Sequence, residues 1–269
     1  MHVRLAPGID PDQALQNLKA VVSGFRVTPT DVQNDPVELR NWYVAHTIAT
    51  EENIGNIIRR DDARAFFASP RHRDLYGMAP GHQITRLIHA ELEAINEDLN
   101  TTITDLGKRI QRLRAAPGFP LLLDSNVLLQ CQRPDYVPWE KEVDGAARLM
   151  LPLRVLEEID TKKYGSSKRL RPRARELFSW IDKLFESGTG PVRLREDATL
   201  ELMLAERPRH RPEDADEEVL EAAHEVRQFV GPMKIVTGDM AMRLRARCEG
   251  LDVLPLRDDW RRTESDTGA

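Results

Sequence analysis

Acidic residues recur in the second half of this chain, where short apolar runs end or the helical segments after them begin. They are Asp124 after FPLLL, Glu157 and Glu158 in LPLRVLEEID, Asp214 and Asp216 in RPEDADEEVL, and Asp239 after KIVTG. Each alone has an ordinary role, since an acidic side chain in the first turn of a helix opposes the helix dipole or caps the helix. Several carboxylates that share one site repel one another unless a cation neutralises them. Oxygen ligands suit Mg²⁺ or Mn²⁺, so the pattern predicts a metal site if the fold brings these residues together.

The apolar runs that carry these residues predict a parallel sheet. Runs at residues 121–124, 148–153, 192–194, 234–239 and 252–256 alternate with helical stretches. This alternation is typical of a parallel sheet with helices on both of its faces. The carboxyl ends of parallel strands meet at one edge of such a sheet, which is where α/β proteins bind ligands. We therefore expect the acidic residues to converge along that edge.

The first part of the chain shows a helical pattern. Apolar residues spaced by threes and fours from Ile88 to Leu113 predict one helix of about 30 residues. The segment after Pro36 predicts another helix, whose inner face we expect to hold Trp42, Val44, Ile48 and Ile54. The segment AAPGFP at residues 115–120 then breaks the helical pattern. We therefore predict a helical domain over residues 1–116, an α/β domain over 117–257 and a flexible tail over 258–269.

Composition narrows the classes of protein. The 269 residues are 41% hydrophobic, which is ample for a packed core, and 39 basic against 44 acidic residues give a formal net charge of -5. Any binding of nucleic acid must therefore come from a local basic patch. Two cysteines are too few for a disulfide framework or a zinc site. With no signal peptide and no long apolar stretch, the sequence predicts a cytoplasmic protein without a membrane partner.

The second half resembles the PIN (PilT N-terminal) domain family over about residues 119–256. The matching segments are LLLDSNVLL, LPLRVLEEIDTKK, DADEEVLEAA and IVTGDMAMRLRA, in the order and spacing of the family's motifs. The resemblance implies a three-layer α/β/α fold and metal-dependent ribonuclease activity. By position it implies a catalytic and metal-binding quartet, Asp124, Glu158, Asp216 and Asp239, with Asn126 and Thr237 as supporting polar groups. Glu157 and Asp214 stay open as alternatives to their acidic neighbours.

A basic run follows the second acidic motif. Residues 162–175, which we name the basic segment, carry seven cations and no acid: Lys162, Lys163, Lys168, Arg169, Arg171, Arg173 and Arg175. Such a run is either a solvated surface or a phosphate-binding patch, and we favour the patch because the run would flank the strand-end cleft. We assign RNA binding to Lys162, Lys163, Lys168, Arg169 and Arg171.

The sequence thus predicts an endoribonuclease that depends on Mg²⁺ or Mn²⁺. One alternative is a PIN-like module that binds RNA or a protein without cleavage. Another is a DNA nuclease or phosphatase that uses the same carboxylates, because only the family resemblance favours RNA. The apolar stripe of the helical region can pack inside its own domain, form a homodimer seam or receive a regulatory protein.

Overall fold

The computed structural model describes residues 3–25, 28–79, 81–164, 170–186, 188, 190–203 and 214–262. The described chain divides into two compact units, one of residues up to Arg112 and one from Leu113 onward. Within these described ranges, no helix is both long and apolar enough to cross a membrane. That these units are two separate domains, with the bounds given by the sequence, stays a prediction.

The first unit is helical. Its elements are α1 (Pro11–Phe25), α2 (Pro36–Gly55), α3 (Arg60–Ala65), α4 (Pro70–Gly77) and α5 (His82–Ala115), whose last residues belong to the second unit. The single long helix predicted from the apolar spacing is confirmed, since α5 has 34 residues and buries Ile88, Ile95 and Leu99. The Asp35 carboxylate accepts hydrogen bonds from the backbone N–H groups at the start of α2 and so fixes where that helix begins.

The inner face predicted for α2 is wrong in most positions. The buried residues are Leu39, Tyr43, Thr47, Thr50 and Ile54, whereas the Ile48 side chain is 47% exposed. The prediction counted apolar residues alone. The helix instead buries polar groups that find partners, because the Tyr43 hydroxyl bonds His72 Nδ1 and the Thr47 hydroxyl bonds the Tyr43 carbonyl.

The second unit is built on a mostly parallel sheet. Within the described residues its strands are β1 (Phe119–Leu123), β2 (Ala147–Pro152), β3 (Val192–Arg195), β4 (Ala198–Met203), β5 (Lys234–Thr237) and β6 (Asp252–Pro255). They lie in the order β3-β4-β2-β1-β5-β6. The sequence missed β4 and assigned β3 to the parallel set, whereas β3 pairs antiparallel with β4 as an edge hairpin. The other pairs, β1 with β2 and β5, β2 with β4, and β5 with β6, are parallel as predicted.

Helices surround this sheet. They are α6 (Ser125–Gln130), α7 (Glu140–Val143), α8 (Leu153–Lys162), α9 (Leu170–Leu184), α10 (Ala215–Val230) and α11 (Met240–Cys248). The spacing of Val219, Leu220, Ala223 and Val226 predicts an apolar face for α10, and all four side chains are buried. The predicted class, an α/β domain preceded by a helical region, is confirmed.

A buried ion pair explains why β4 escaped detection. Arg148 of β2 is fully buried, and its guanidinium lies 2.7 Å from Oε1 of Glu201 in β4. The same guanidinium donates to the carbonyl oxygen of Leu113. A glutamate in the middle of a buried strand breaks the apolar pattern, and it is tolerated because this cation neutralises it.

Residues 258–262, assigned by sequence to the flexible tail, instead contact the rest of the second unit through Trp260 and Arg262. A 3₁₀ turn at Asp258–Trp260 buries the Trp260 indole against Trp139, with ring centroids 5.2 Å apart. The Arg262 N–H donates to the Gln130 carbonyl at 3.1 Å. Burial of a large aromatic ring outweighs the polar composition of the segment around it. Residues 263–269 lie outside the described chain.

Candidate active site

Strand β1 delivers Asp124 to the carboxyl edge of the sheet. The side chain is only 6% exposed, and it stands at the N-cap position of α6 without making a capping hydrogen bond. Its Oδ2 atom instead accepts from the Thr237 hydroxyl at 2.7 Å and from Asn126 Nδ2 at 3.2 Å. The helix-cap explanation therefore does not apply to Asp124.

Strand β5, which pairs with β1, brings Thr237 and Asp239 to the same edge. The buried Thr237 hydroxyl accepts from the Asp239 N–H at 3.0 Å while it donates to Asp124. Asp239 caps α11, because its Oδ1 accepts from the N–H groups of Ala241 at 2.7 Å and Met242 at 3.1 Å. The capping role and the site role coexist here, because capping engages one carboxylate oxygen.

The first turn of α10 adds Asp216. The pKa of its carboxyl is raised above the usual range, first by burial and then by the negative charges of Asp214, Asp124 and Asp239. Arg245 opposes this effect. Asp216 is therefore within electrostatic range of the aspartates at the starts of α6 and α11.

Asp214 is held differently from Asp216. Its Oδ1 accepts from the Asp216 N–H at 3.0 Å and caps α10, and its Oδ2 lies 2.7 Å from Nη1 of Arg245. The hydrogen bond from Arg245 holds the pKa of Asp214 below its usual range. The sequence left Asp214 open as an alternative to Asp216. The structure distinguishes them, because the neighbouring carboxylates act on Asp216 whereas Arg245 neutralises Asp214.

Glu158 is not brought together with these aspartates. It lies on α8, half-buried, and its side chain makes no hydrogen bond or ion pair with the described residues. Glu157 forms an ion pair of 3.7 Å with Arg154 on the same helix. Helix α8 packs against α10, the helix that carries Asp216. Among the described residues no polar contact links Glu158 to the aspartates, so its role as the fourth carboxylate stays a prediction.

The donor set suits a hard divalent cation. Burial and then the charges of Asp214, Asp124 and Asp239 raise the pKa of the Asp216 carboxyl, and the oxygens of such neighbouring carboxylates are ligands that Mg²⁺ or Mn²⁺ would neutralise. In the part of the chain that is described, no three acidic, histidine or cysteine side chains already form a compact coordination cluster. The residues therefore fit a metal by chemistry and by charge rather than by a preformed geometry.

Part of the basic segment is structural. Arg173 is buried, donates to the Cys131 carbonyl at 2.9 Å and pairs with Glu176 at 3.3 Å, so it does not serve the phosphate patch that the sequence suggested. Lys163 is 16% exposed, pairs with Asp160 and places its Nζ 3.5 Å from the centre of the Phe178 ring. Arg173 and Lys163 are therefore engaged in contacts within the protein, although the sequence counted both as available to bind phosphate.

The structure describes three of the remaining cations of the segment and leaves two outside the described residues. Lys162 is half-buried, Arg171 and Arg175 are exposed, and the Tyr164 side chain is 76% exposed. Lys168 and Arg169 lie outside the described residues. The phosphate-binding role of the segment stays a prediction that depends on these positions.

Sequence reasoning missed the contacts that two polar side chains, Gln130 and Arg245, make at this edge. Gln130 Nε2 donates to Asn126 Oδ1 at 3.2 Å and so orients the amide that faces Asp124. The i to i+4 spacing of these two residues on α6 would have indicated the contact. Arg245, in contrast, meets Asp214 across 31 positions of sequence, and no local pattern predicts such a pair.

Comparison with known protein families agrees with this fold and these motifs. No curated protein matches the chain significantly. A solved structure described as a domain of a functionally unknown protein from Methanocaldococcus jannaschii DSM 2661 is similar, with 15% identity and a TM-score of 0.36 over 55% of this chain and 97% of that one. The family model described as PIN domain matches residues 121–257, half of the chain and all of the acidic motifs. The chain therefore belongs to the PIN domain family.

Proposed function

We propose that this chain is a metal-dependent nuclease that hydrolyses the phosphodiester bonds of RNA. PIN domains are generally nucleases and typically use divalent metal ions. One observation carries the proposal: the paired strands β1 and β5 bring Asp124 and Asp239 to one edge, where the Thr237 hydroxyl donates to Asp124 and accepts from the Asp239 N–H. Burial and the charges of Asp214, Asp124 and Asp239 raise the pKa of Asp216, which agrees with this placement. A fold that gathers mutually repelling carboxylates in one partly buried place is suited to bind a cation there.

The residues divide into ligands and residues that orient them. Asp124, Asp216 and Asp239 would hold Mg²⁺ or Mn²⁺, with Glu158 as the predicted fourth ligand. Such an ion supplies a bound water of lowered pKa and positive charge for the scissile phosphate. Thr237 and Asn126 both donate to Oδ2 of Asp124, and within the described residues its Oδ1 has no hydrogen-bond partner. Hydrogen bonds thus fix Oδ2 of Asp124, and Oδ1 is the oxygen that would bind the metal.

Asp239 follows the same principle. Two backbone N–H groups of α11 hold its Oδ1, and the Thr237 hydroxyl holds its own N–H group. Hydrogen bonds of this kind orient a ligand before the metal arrives and reduce the reorganisation that binding requires. We expect the exposed cations of the basic segment to hold the RNA backbone near this edge.

The test uses the purified chain and a mixed pool of RNA with Mn²⁺, Mg²⁺ or EDTA. We expect cleavage in either metal and none in EDTA. Asp124→Asn should abolish cleavage, whereas Asp252→Asn should not, because Asp252 is an exposed residue at the opposite, amino end of β6. RNA that stays intact in both metals would contradict the proposal.

The second candidate is a PIN module that binds RNA or a protein without cleavage. The absence of a compact coordination cluster among the described residues favours it. If the module binds RNA, the RNA pool binds to the protein in a salt-dependent manner and remains uncut. The wild type and Asp124→Asn then bind the RNA with equal affinity. A parallel assay on single-stranded DNA separates RNA from DNA as the preferred substrate.

A further inference from the structure

Arg245 lies between two carboxylates at the rim of the candidate metal site. Its Nη1 atom is 2.7 Å from Oδ2 of Asp214 and 3.9 Å from Oδ2 of Asp216. Arg245 belongs to α11, the helix that Asp239 caps, and both of its partners lie at the start of α10. One guanidinium therefore connects two helices that each contribute a predicted metal ligand.

Asp214 fixes the position of this guanidinium. Its two oxygens have separate tasks, because Oδ1 caps α10 and Oδ2 accepts from Arg245. This hydrogen bond joins opposite charges whose atoms are 2.7 Å apart. A short charge-assisted bond to a capping residue restricts where the arginine can move.

We infer that Arg245, positioned by Asp214, is a built-in counter-ion of the aspartate cluster and competes with the divalent metal for Asp216. The inference rests on the proposed function, because it assigns Asp216 to the metal. The Arg245 guanidinium lies 3.9 Å from Oδ2 of Asp216, so a metal ion that binds this oxygen has to compete with a positive charge already beside it. Arg245 thus offsets part of the negative charge of the cluster, and it sets the affinity for metal below what the carboxylates alone would give.

The direct test is Mn²⁺ binding without RNA, measured by isothermal titration calorimetry at low ionic strength. Arg245→Gln should bind Mn²⁺ about five-fold more tightly than the wild type, because the metal no longer has to displace Arg245 from Asp216. The attraction between two unit charges about 4 Å apart in water-like surroundings corresponds to about that factor. The high-dielectric estimate applies since the Arg245 side chain is 39% exposed. The gain should shrink in about 0.5 M salt, as screening requires.

Asp214→Asn should act in the opposite direction. Asparagine still caps α10, but it no longer holds the guanidinium, and Asp216 becomes the nearest carboxylate to Arg245. Mn²⁺ affinity should fall a few-fold. Arg247→Gln is the matched control, because Arg247 is an exposed residue of the same helix whose side chain makes no ion pair with the described residues.

The outcomes separate this inference from the proposed function. If the wild type binds no Mn²⁺, the metal site itself is wrong and the inference falls with it. If the wild type binds Mn²⁺ and Arg245→Gln binds it no more tightly than Arg247→Gln, then Arg245 is only a tie between two helices and the inference is overturned. Should Arg245→Gln fail to fold, Arg245→Lys keeps the charge, and Asp214→Asn alone must still weaken binding.

Discussion

Asp124→Asn gives the sharpest test of the site because its effect on stability and its effect on metal binding are separable. The asparagine side-chain oxygen can still accept from Thr237 and Asn126, so both hydrogen bonds survive without their charge. That loss costs about 1 kcal/mol. Removal of a negative charge that raises the pKa of Asp216 offsets the loss. We therefore expect a free energy of unfolding in EDTA within about 1 kcal/mol of the wild type.

Metal binding should change far more. A ligand at about a hundred times its dissociation constant stabilises the wild type by about 2.7 kcal/mol, which raises Tm by about 5–10 °C for a domain of this size. If removal of the Asp124 carboxylate weakens Mn²⁺ binding about a hundred-fold, the same concentration contributes only about 0.4 kcal/mol. The variant should then gain no more than about 2 °C.

The assay compares thermal melts of four proteins with and without Mn²⁺. Asp239→Asn should behave as Asp124→Asn does, because asparagine keeps the cap on α11, whereas the control Asp252→Asn should keep the full shift. If neither aspartate binds the metal, all four proteins shift equally with Mn²⁺. That equality would refute the metal site proposed here.

Three further predictions concern other parts of the chain. Replacing Lys168, Arg169 and Arg171 with alanine should reduce the salt dependence of RNA binding by a slope of about 0.7 for each phosphate that the protein no longer neutralises; an unchanged slope makes the basic segment a solvated surface. Glu201→Gln leaves its arginine partner buried without a counter-charge, so the free energy of unfolding in urea should fall by about 3–5 kcal/mol, and a decrease below about 1 kcal/mol contradicts this. Burial lowers the pKa of His72, so the unfolded chain takes up this proton more readily and stability falls as pH drops below about 6.5; His72→Gln should lose less stability than the wild type between about pH 7.5 and 5.5.

The sequence by itself determined the features that depend on local pattern. Asp124 and Asp239 follow apolar runs that pair as parallel strands, and parallel strands bring their carboxyl ends together whatever the rest of the chain does. The long apolar stripe determined α5, and the spacing of Val219, Leu220 and Ala223 determined the buried face of α10. In each case the side chains that define the element lie within a few turns of one another.

The tertiary structure decided which partners the charged side chains find within the protein. Arg148 and Glu201 meet across 53 positions, and this pair makes a charged strand acceptable inside the sheet. Arg173 is charged like its neighbours in the basic segment but is buried on the Cys131 carbonyl. Asp214 and Asp216 differ in environment because Arg245 approaches from another helix. A sequence pattern records the type and spacing of side chains, whereas the fate of a charge depends on a partner that only the folded chain brings within reach.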